Sequence, residues 1–386
     1  MTAAVRVRCL AGAASLTVAL AQPPALAASA QLHGSSDPAA RPTTAAARDP
    51  RPLLAYYYIW FSERSWDRAK RDYPLAGRYS SDDAEVLRSH VRQAKAAGIT
   101  GFSVSWKSTE LLDRRLELLL RIADEESFKL TIVYQGLDVE RQPLPVERVA
   151  EDLDLFVERY AGHPALELFD KPLVIWSGTW EFSAHQVELV TRTRRERLLV
   201  LASERSPEGY ARLAPFVDGN AYYWSSVNPD TYPDYPGKLR AMGEAVRAHR
   251  GLWVAPVAPG FDARLLGGRT VVERYGDFTL RREWAAALAS QPDALGLISW
   301  NEFSENSHVE PSHRYGNAAL RAVASLRGQV PPAPLSAVDS SEAGSGFDLH
   351  HRLVSGLILA AGAGAFVVLA RTRRRAAPPP PDGGEG

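Results

Sequence analysis

The stretch LLAYYYIWFSE, residues 53–63, decides between two α/β folds. Residues 53–60 are almost all apolar, which is typical of a strand buried on both faces of a sheet. A doubly wound nucleotide-binding sheet would place a glycine-rich phosphate turn directly after this strand. The chain continues instead with Phe61, Ser62 and Glu63, and the motif GxGxxG occurs nowhere in the sequence. The stretch therefore favours a (β/α)8 barrel over a doubly wound sheet.

Strand-like and helix-like patterns alternate along the chain, and residues 53–60 are the first of eight predicted strands. The predicted strands are 53–60, 99–106, 130–136, 172–177, 198–203, 219–224, 252–259 and 295–300. Helical patterns with apolar residues at positions i, i+3, i+4 and i+7 separate most of them, at 82–97, 110–126, 146–160, 184–195, 238–250 and 280–289. Ser81 is the expected N-cap of the first helix and Gly98 its terminating glycine, and the link 204–217 has room for only a brief helix. Eight such units over about 280 residues predict a TIM barrel.

The two ends of the chain look different from the barrel. Residues 1–30 are predicted to be a signal peptide, with an uncleaved membrane anchor as the alternative, and 31–50 and 329–350 are predicted to be disordered linkers. Residues 351–371 are predicted to form a single transmembrane helix, with a buried core helix as the alternative, and the arginines that follow predict a cytoplasmic tail at 372–386. The barrel, residues 51–328, is then expected outside the cell membrane.

Composition excludes several classes of partner. Lys+Arg and Asp+Glu are equal at 45 each among 386 residues, so no basic field argues for nucleic acid. The single cysteine, Cys9, excludes disulfides and a CxxC zinc site. His308, His313 and Glu310 lack the spacing of a helical zinc motif, so we expect no metal and no cofactor. A monomer is the expected state.

Aromatic side chains crowd the ends of six predicted strands. In a barrel of this kind the active site lies at the carboxyl ends of the strands. Aromatic faces beside polar groups suit sugars, whose C–H faces stack on rings while hydroxyls reach amides and carboxylates. We therefore predict a glycan-binding rim made of Tyr58, Trp60, Trp106, Tyr134, Gln135, Trp176, Tyr223, Trp224, Trp300, Asn301 and Glu310.

The last predicted strand leads into the run LISWNEFSENSHVEP, residues 297–311. It carries two carboxylates three positions apart, Glu302 and Glu305. Glycoside hydrolysis needs such a pair, one protonated to assist the leaving oxygen and one ionised. Two neighbouring acids also separate each other's pKa values, which lets them hold different roles. Glu302 and Glu305 are therefore the predicted catalytic residues.

Several ordered blocks resemble glycoside hydrolase family 99, the endo-α-mannosidases and endo-α-mannanases. They are 57–61 (YYIWF), 77–83 (GRYSSDD), 160–165 (YAGHPA), 218–223 (DGNAYY), 256–261 (PVAPGF) and 301–311 (NEFSENSHVEP). The resemblance implies a retaining reaction on α-linked mannose or glucose chains through a 1,2-anhydro sugar. It implies that Glu302 deprotonates the sugar's 2-hydroxyl and that Glu305 acts as general acid and then general base.

The chain departs from the family's pattern at three positions. Ser304 and Asn306 stand where the family has histidine and glycine around its second glutamate, and Gln135 stands where it has a carboxylate. These changes leave a second interpretation open, a catalytically inactive carbohydrate-binding or cell-wall-associated barrel. A relative nearer the α-1,3-glucanases is a further alternative, as is an anchored structural protein without a sugar site.

Overall fold

A computed structural model describes residues 49–335, and these form a closed barrel of eight parallel strands wrapped by helices. The barrel order is β1-β10-β7-β6-β5-β4-β3-β2, and β8 and β9 form a separate antiparallel hairpin. The strands are β1 Leu53–Tyr58, β2 Gly101–Trp106, β3 Lys129–Gln135, β4 Leu173–Ser177, β5 Leu199–Ala202, β6 Gly219–Ala221, β7 Leu252–Val257, β8 Phe261–Asp262, β9 Val271–Val272 and β10 Ala294–Leu297. The predicted (β/α)8 barrel is confirmed, and every barrel strand begins and ends within three residues of its predicted bounds.

Eight α-helices and five short 3-10 helices connect the strands. The α-helices are α1 Ala84–Ala96, α2 Glu110–Glu125, α3 Val146–Arg159, α4 Ala184–Thr191, α5 Pro207–Leu213, α6 Tyr235–Ala248, α7 Phe278–Ala289 and α8 Ala318–Leu326. The 3-10 helices are Glu63–Asp67, Pro164–Leu166, Thr179–Glu181, Arg194–Glu196 and Arg264–Leu266. Helix α5 is the brief helix expected in the link 204–217, whereas α8 was not predicted.

The sequence predicts the glycine that terminates α1 correctly and its N-cap wrongly. Gly98 follows the helix with φ +80, the left-handed conformation that glycine adopts without cost. The N-cap is Asp83 rather than Ser81, because the Asp83 carboxylate accepts from the backbone N–H groups of Glu85 and Val86. Ser81 instead exchanges hydrogen bonds with the backbone of Phe61, fastening the loop after β1 to the start of α1.

Strand residues alternate between two buried layers. One set fills the barrel interior, with Tyr56, Val133, Ile175, Leu201 and Val254 among its members. The other set packs outward against the helices in a much larger cluster. Because successive side chains of a strand point to opposite faces, the position of a residue within its strand decides whether it can reach the barrel mouth.

The described residues cover the barrel but not the two ends. The predicted signal peptide, transmembrane helix and cytoplasmic tail, together with most of both predicted linkers, lie outside residues 49–335. Within that part, no helix is both long and apolar enough to cross a bilayer. The chain remains bonded to α8 beyond the predicted end of the barrel, since Asn317 bonds the backbone of Ala333 and Leu335.

Candidate active site

Glu302 and Glu305 lie in the segment that follows β10, at the carboxyl end of the barrel. Both side chains are buried, with 4% and 0% of their surface exposed. The backbone of the segment is fastened at each glutamate: the Glu302 N–H donates to Ser299 Oγ at 2.9 Å, and the Glu305 carbonyl accepts from the Asp262 N–H at 2.7 Å. The two predicted catalytic residues are therefore held on one rigid segment, where a barrel keeps its reactive groups.

Two tyrosines face the carboxylates. The hydroxyl groups of Tyr58, the last residue of β1, and Tyr223, just after β6, are 2.8 Å apart. Burial raises the pKa of both phenols well above the ordinary value, and both glutamates add to that rise. Trp60 stacks on Tyr58 at 4.2 Å between ring centroids and is only half-buried. The structure thus brings together Glu302, Glu305, Tyr58, Tyr223 and Trp60 as predicted.

Glu302 is the more readily ionised of the two acids. Burial raises its pKa to about 7, against opposing contributions from two residues, Ser304 and Lys70. The Ser304 N–H donates to Glu302 Oε1 at 3.1 Å, and the ammonium of Lys70 favours the charged carboxylate. Lys70 is itself half-buried and donates to the Ser65 carbonyl at 2.9 Å. A carboxyl with such a pKa can serve as a base near neutral pH.

Glu305 is held more firmly in its protonated form. Neither of its carboxylate oxygens has a hydrogen-bond partner among residues 49–335. Burial raises its pKa well above the ordinary value, and the negative charge of Glu302 raises it further, whereas Arg141 acts in the opposite direction. A buried carboxyl without a donor aimed at it keeps its proton and can give it up in a reaction.

Gln135 lies at the mouth end of β3 and is half-buried. Its Nε2 donates to Ser105 Oγ, at the end of the adjacent strand β2, at 3.0 Å. This contact uses the donor end of the amide, whose carbonyl oxygen is an acceptor of the kind that binds a hydroxyl. The structure therefore places Gln135 on the wall of the mouth as predicted, as a neutral group.

A buried framework supports the segment that carries the glutamates. Arg274 Nη2 donates to the carbonyls of Asn306 at 2.9 Å and His308 at 2.7 Å, and its guanidinium lies 4.1 Å from the centre of the Tyr315 ring. His308 Nε2 is 3.2 Å from the carboxylate of Asp72. Burial is the main cause that lowers the pKa of His308, to about 4, so the ring is neutral at pH 7. The framework fixes Asn306 and His308, which lie one and three residues after Glu305.

Two residues predicted to bind substrate belong to a second buried network. Asn301 is fully buried, and its amide exchanges hydrogen bonds with the backbone N–H and carbonyl of Tyr58. Glu310 accepts from the Tyr79 hydroxyl at 2.9 Å and lies 3.2 Å from Nε2 of His90 on α1. The predictions for Asn301 and Glu310 are corrected, because both side chains are buried behind the barrel wall and contact other protein groups there.

Five predicted rim aromatics are also corrected, since they pack in the layer between strands and helices. Trp106 Nε1 donates to Asp113 of α2 at 2.9 Å, and the Tyr134 hydroxyl donates to Asp152 of α3 at 2.9 Å. The physical reason is strand alternation, which turns these rings outward while their neighbours face the mouth. The five are Trp106, Tyr134, Trp176, Trp224 and Trp300.

The charged side chains nearest the glutamates were not predicted. Lys70 lies between β1 and α1, and Arg141 lies between β3 and α3. Both are on loops at the active-site end of the barrel, but so are many other charged residues, and no local pattern distinguishes these two. Among residues 49–335 no three His, Cys, Asp or Glu side chains are grouped as a metal site would require.

Comparison with known proteins agrees with this geometry. The profile of glycosyl hydrolase family 99 matches residues 47–321. The chain belongs to this family. A mutanase of Penicillium rubens is 23% identical over 256 residues, which are 65% of this chain and 55% of the mutanase. The rat glycoprotein endo-α-1,2-mannosidase is 19% identical over 263 residues, which are 62% of this chain and 56% of the rat protein. The chain thus spans little more than half the length of these relatives.

Solved structures show the same fold. The family 99 endo-α-mannosidase of Bacteroides thetaiotaomicron superimposes with a TM-score of 0.63 at 20% identity, covering 71% of this chain and 96% of that one. A glycoside hydrolase-like protein superimposes with a TM-score of 0.57 at 15% identity, covering 74% and 96%. The barrel is therefore the architecture of this glycoside hydrolase family.

Proposed function

We propose that this family 99 protein hydrolyses bonds within α-linked mannose- or glucose-containing glycans and retains the anomeric configuration. The observation that carries the proposal is the pair Glu302 and Glu305, buried together at the barrel mouth with unequal affinities for a proton. The named relatives support the substrate class, since one is a mutanase and another an endo-α-1,2-mannosidase.

The unequal pair suits a reaction through a 1,2-anhydro sugar. Ionised Glu302 removes the proton of the 2-hydroxyl, and that oxygen bonds to the anomeric carbon. Protonated Glu305 gives its proton to the departing glycosidic oxygen. Glu305, now ionised, takes a proton from water as the water oxygen opens the anhydro ring at the anomeric carbon, and Glu302 returns its proton to the 2-oxygen. Each acid ends in the state in which it began.

Two of the three departures from the family pattern, Asn306 and Ser304, are compatible with catalysis. Asn306 has φ +55, in the left-handed region that glycine favours and that asparagine tolerates best among other residues. Its side chain donates to the Tyr315 hydroxyl at 3.1 Å, which stabilises that conformation. Ser304 supplies a backbone N–H to Glu302, and its side chain also favours the charged carboxylate by lowering the pKa of Glu302. Neither change removes a group that the proposed steps need.

The test is a product assay with the full-length chain on yeast α-mannan and on α-1,3-glucan. We expect shortened oligosaccharides whose new reducing ends first appear with retained configuration by proton NMR. Glu302→Gln and Glu305→Gln should each lower turnover at least about 10²-fold, and Glu63→Gln, on an exposed carboxylate of the loop after β1, should not. Polymer binding without turnover by the unaltered chain would support the inactive sugar-binding barrel instead, and inverted products would contradict the mechanism.

We also propose that the barrel works outside the cell, held by a carboxyl-terminal membrane helix. The supporting features are the run of apolar and small residues at 353–370 with the arginines after it and the leader-like residues 1–30. Protease added to intact cells should then digest the barrel but spare an epitope fused to the carboxyl terminus. A chain ending at residue 347 should be released into the medium, and retention of that shortened chain in the cytosol would contradict this location.

A further inference from the structure

Exposed aromatic side chains are confined to one part of the described surface. Across residues 49–335 only three aromatic residues are substantially exposed to solvent: Tyr232 with 37% of its surface accessible, Tyr275 with 66% and Phe278 with 55%. Tyr232 lies on the loop between β6 and α6, and the other two lie where the segment after β9 enters α7. Both loops follow barrel strands, so they belong to the same end of the barrel as Glu302 and Glu305. Exposed aliphatic residues such as Leu111 and Leu189 are on other helices.

Contacts join the two aromatic loops to one another. Arg282, one turn into α7 from Phe278, donates to the Pro229 carbonyl at 3.0 Å and forms an ion pair with Asp230. Tyr232, two residues further along, packs edge-on against Trp224 at 5.3 Å between ring centroids. The rings therefore stand on two loops that are fastened together.

The turn that carries Tyr275 is rigid and unfavourable on its own. Tyr275 has φ +47 and Gly276 has φ +69, and a tyrosine in the left-handed region costs free energy that the surroundings must offset. The turn is closed by bonds from the Thr279 hydroxyl to the Glu273 carbonyl at 2.6 Å and from the Thr279 N–H to the Arg274 carbonyl at 3.2 Å. A conformation of this cost, held to expose an aromatic ring, is typical of a ligand-contacting segment.

The same turn is connected directly to the catalytic segment. Arg274, the residue before Tyr275, donates to the carbonyls of Asn306 and His308, next to Glu305. The turn that carries Tyr275 therefore places an aromatic surface beside the barrel mouth. A sugar chain that extends out of the mouth presents pyranose C–H faces, which stack on aromatic rings. The occupant that fits is thus the outer part of the substrate itself.

We infer that Tyr275 and Phe278, with Tyr232 beside them, form an outer platform that binds sugar units of a polymeric glycan beyond those at the reacting bond. The inference rests on the proposed hydrolase function and adds that the substrate is long rather than a short oligosaccharide. The platform contributes affinity and takes no part in the chemical step.

The experiment measures kcat and KM for the double variant Tyr275→Ala/Phe278→Ala in the full-length chain. Polymeric substrates are yeast α-mannan and α-1,3-glucan, and short ones are the tetrasaccharides of the same linkages. Loss of the stacked rings should raise KM for the polymer about two- to tenfold and leave kcat and the tetrasaccharide KM unchanged. Tyr275→Phe keeps the ring and should behave as the unaltered chain.

Leu111→Ala and Leu189→Ala are matched controls, because they remove exposed apolar side chains from other helices and should change nothing. An unchanged polymer KM in the double variant, or equal losses on polymer and tetrasaccharide, would overturn the platform while leaving the hydrolase function intact. If neither polymer is cleaved, the platform is tested by electrophoresis of the protein in gels that contain the polymer, where binding slows migration. Loss of this retardation in the double variant supports the platform. An unaltered chain that is not retarded overturns it.

Discussion

Glu305 and Glu310 are buried carboxylates five residues apart on the segment after β10, and their surroundings are opposite. Glu310 accepts from the Tyr79 hydroxyl and lies 3.2 Å from His90. The oxygens of Glu305 have no hydrogen-bond partner within the described part of the chain. Among residues 49–335, Glu310 therefore has one hydroxyl donor and a neighbouring imidazole, although its Oε1 accepts no hydrogen bond, whereas Glu305 has no donor at either oxygen.

The difference separates a group that stabilises the fold from a group kept ready to react. A buried carboxylate that accepts a hydrogen bond contributes to a single well-defined packing, because removing one partner leaves the other uncompensated. An unsatisfied one costs stability, and such costs are concentrated at active sites. Burial alone does not distinguish the two acids, whereas their partners do.

The largest effect is expected when glutamine replaces Glu305 in one variant and Glu310 in another, and the two single variants are compared. Glu305→Gln removes the proposed proton donor and should lower kcat about 10²- to 10⁴-fold, with thermal stability unchanged or higher. Glu310→Gln should leave most of the activity and lower the free energy of unfolding by about 1–3 kcal/mol, because the charge beside His90 is lost. Steady-state kinetics and denaturant unfolding of each variant measure the two quantities. The comparison fails if both substitutions act mainly on stability.

The next largest effect concerns Arg274, which binds the backbone between Glu305 and Glu310. Arg274→Met leaves the carbonyls of Asn306 and His308 without their buried donor. We expect kcat to fall about 10- to 100-fold, since small displacements of a catalytic group are costly, together with a stability loss of about 3 kcal/mol. Arg274→Lys keeps a cation and a donor and should recover part of both. A variant that loses stability but keeps full kcat would show that Arg274 does not position Glu305.

The pH dependence separates the acids in a third way. Glu302 must be ionised to act as base, and its pKa is raised to about 7, so kcat/KM should fall about tenfold per pH unit below that value. At higher pH the rate should fall again as Glu305 loses its proton. A rate that stays constant from pH 5 to pH 7 would contradict the role of Glu302.

The same ionisation acts on stability with a known sign. The folded protein holds the Glu302 proton up to about pH 7, and an unfolded chain releases it near pH 4.5. Between these values the folded state binds more protons, so this group's contribution to stability falls as pH rises, by about 3 kcal/mol in total. Glu302→Gln should therefore gain stability relative to the unaltered chain as pH increases from 5 to 7. Thermal melts of the two proteins at each pH measure that difference.

The fold could be predicted from the sequence because its signals are local and repeated. Eight apolar runs separated by amphipathic helices need no knowledge of contacts, and all eight runs became barrel strands. The pair Glu302 and Glu305 was found from its place after the last strand. The short helix α8 was missed, because the eight-unit pattern was already complete before Ala318–Leu326.

The rim was predicted poorly because the direction of a side chain depends on where its strand begins and ends. Tyr58 and Tyr223 face the mouth, whereas Trp106 and Tyr134 face the helices, although all four occupy strand ends. A shift of one residue in the pattern exchanges the two faces. Lys70 and Arg141 could not be found at all, since they come from loops whose path depends on the folded structure.

The smallest predicted effect tests whether two neighbouring residues of β1 lie on opposite faces of the barrel wall. Tyr57 and Tyr58 are adjacent on β1, but the Tyr57 hydroxyl lies 2.9 Å from Nδ1 of His90 behind the wall, and the Tyr58 hydroxyl lies 2.8 Å from that of Tyr223 at the mouth. Tyr57→Phe should cost about 1 kcal/mol of stability and leave kcat/KM unchanged. Tyr58→Phe leaves the buried Tyr223 hydroxyl without its partner, so it should also cost about 1 kcal/mol of stability, but it should in addition lower kcat/KM about fivefold. Both variants lose one oxygen atom, so any difference between them comes from the face of the strand; equal effects on kcat/KM would contradict the assignment of the two faces.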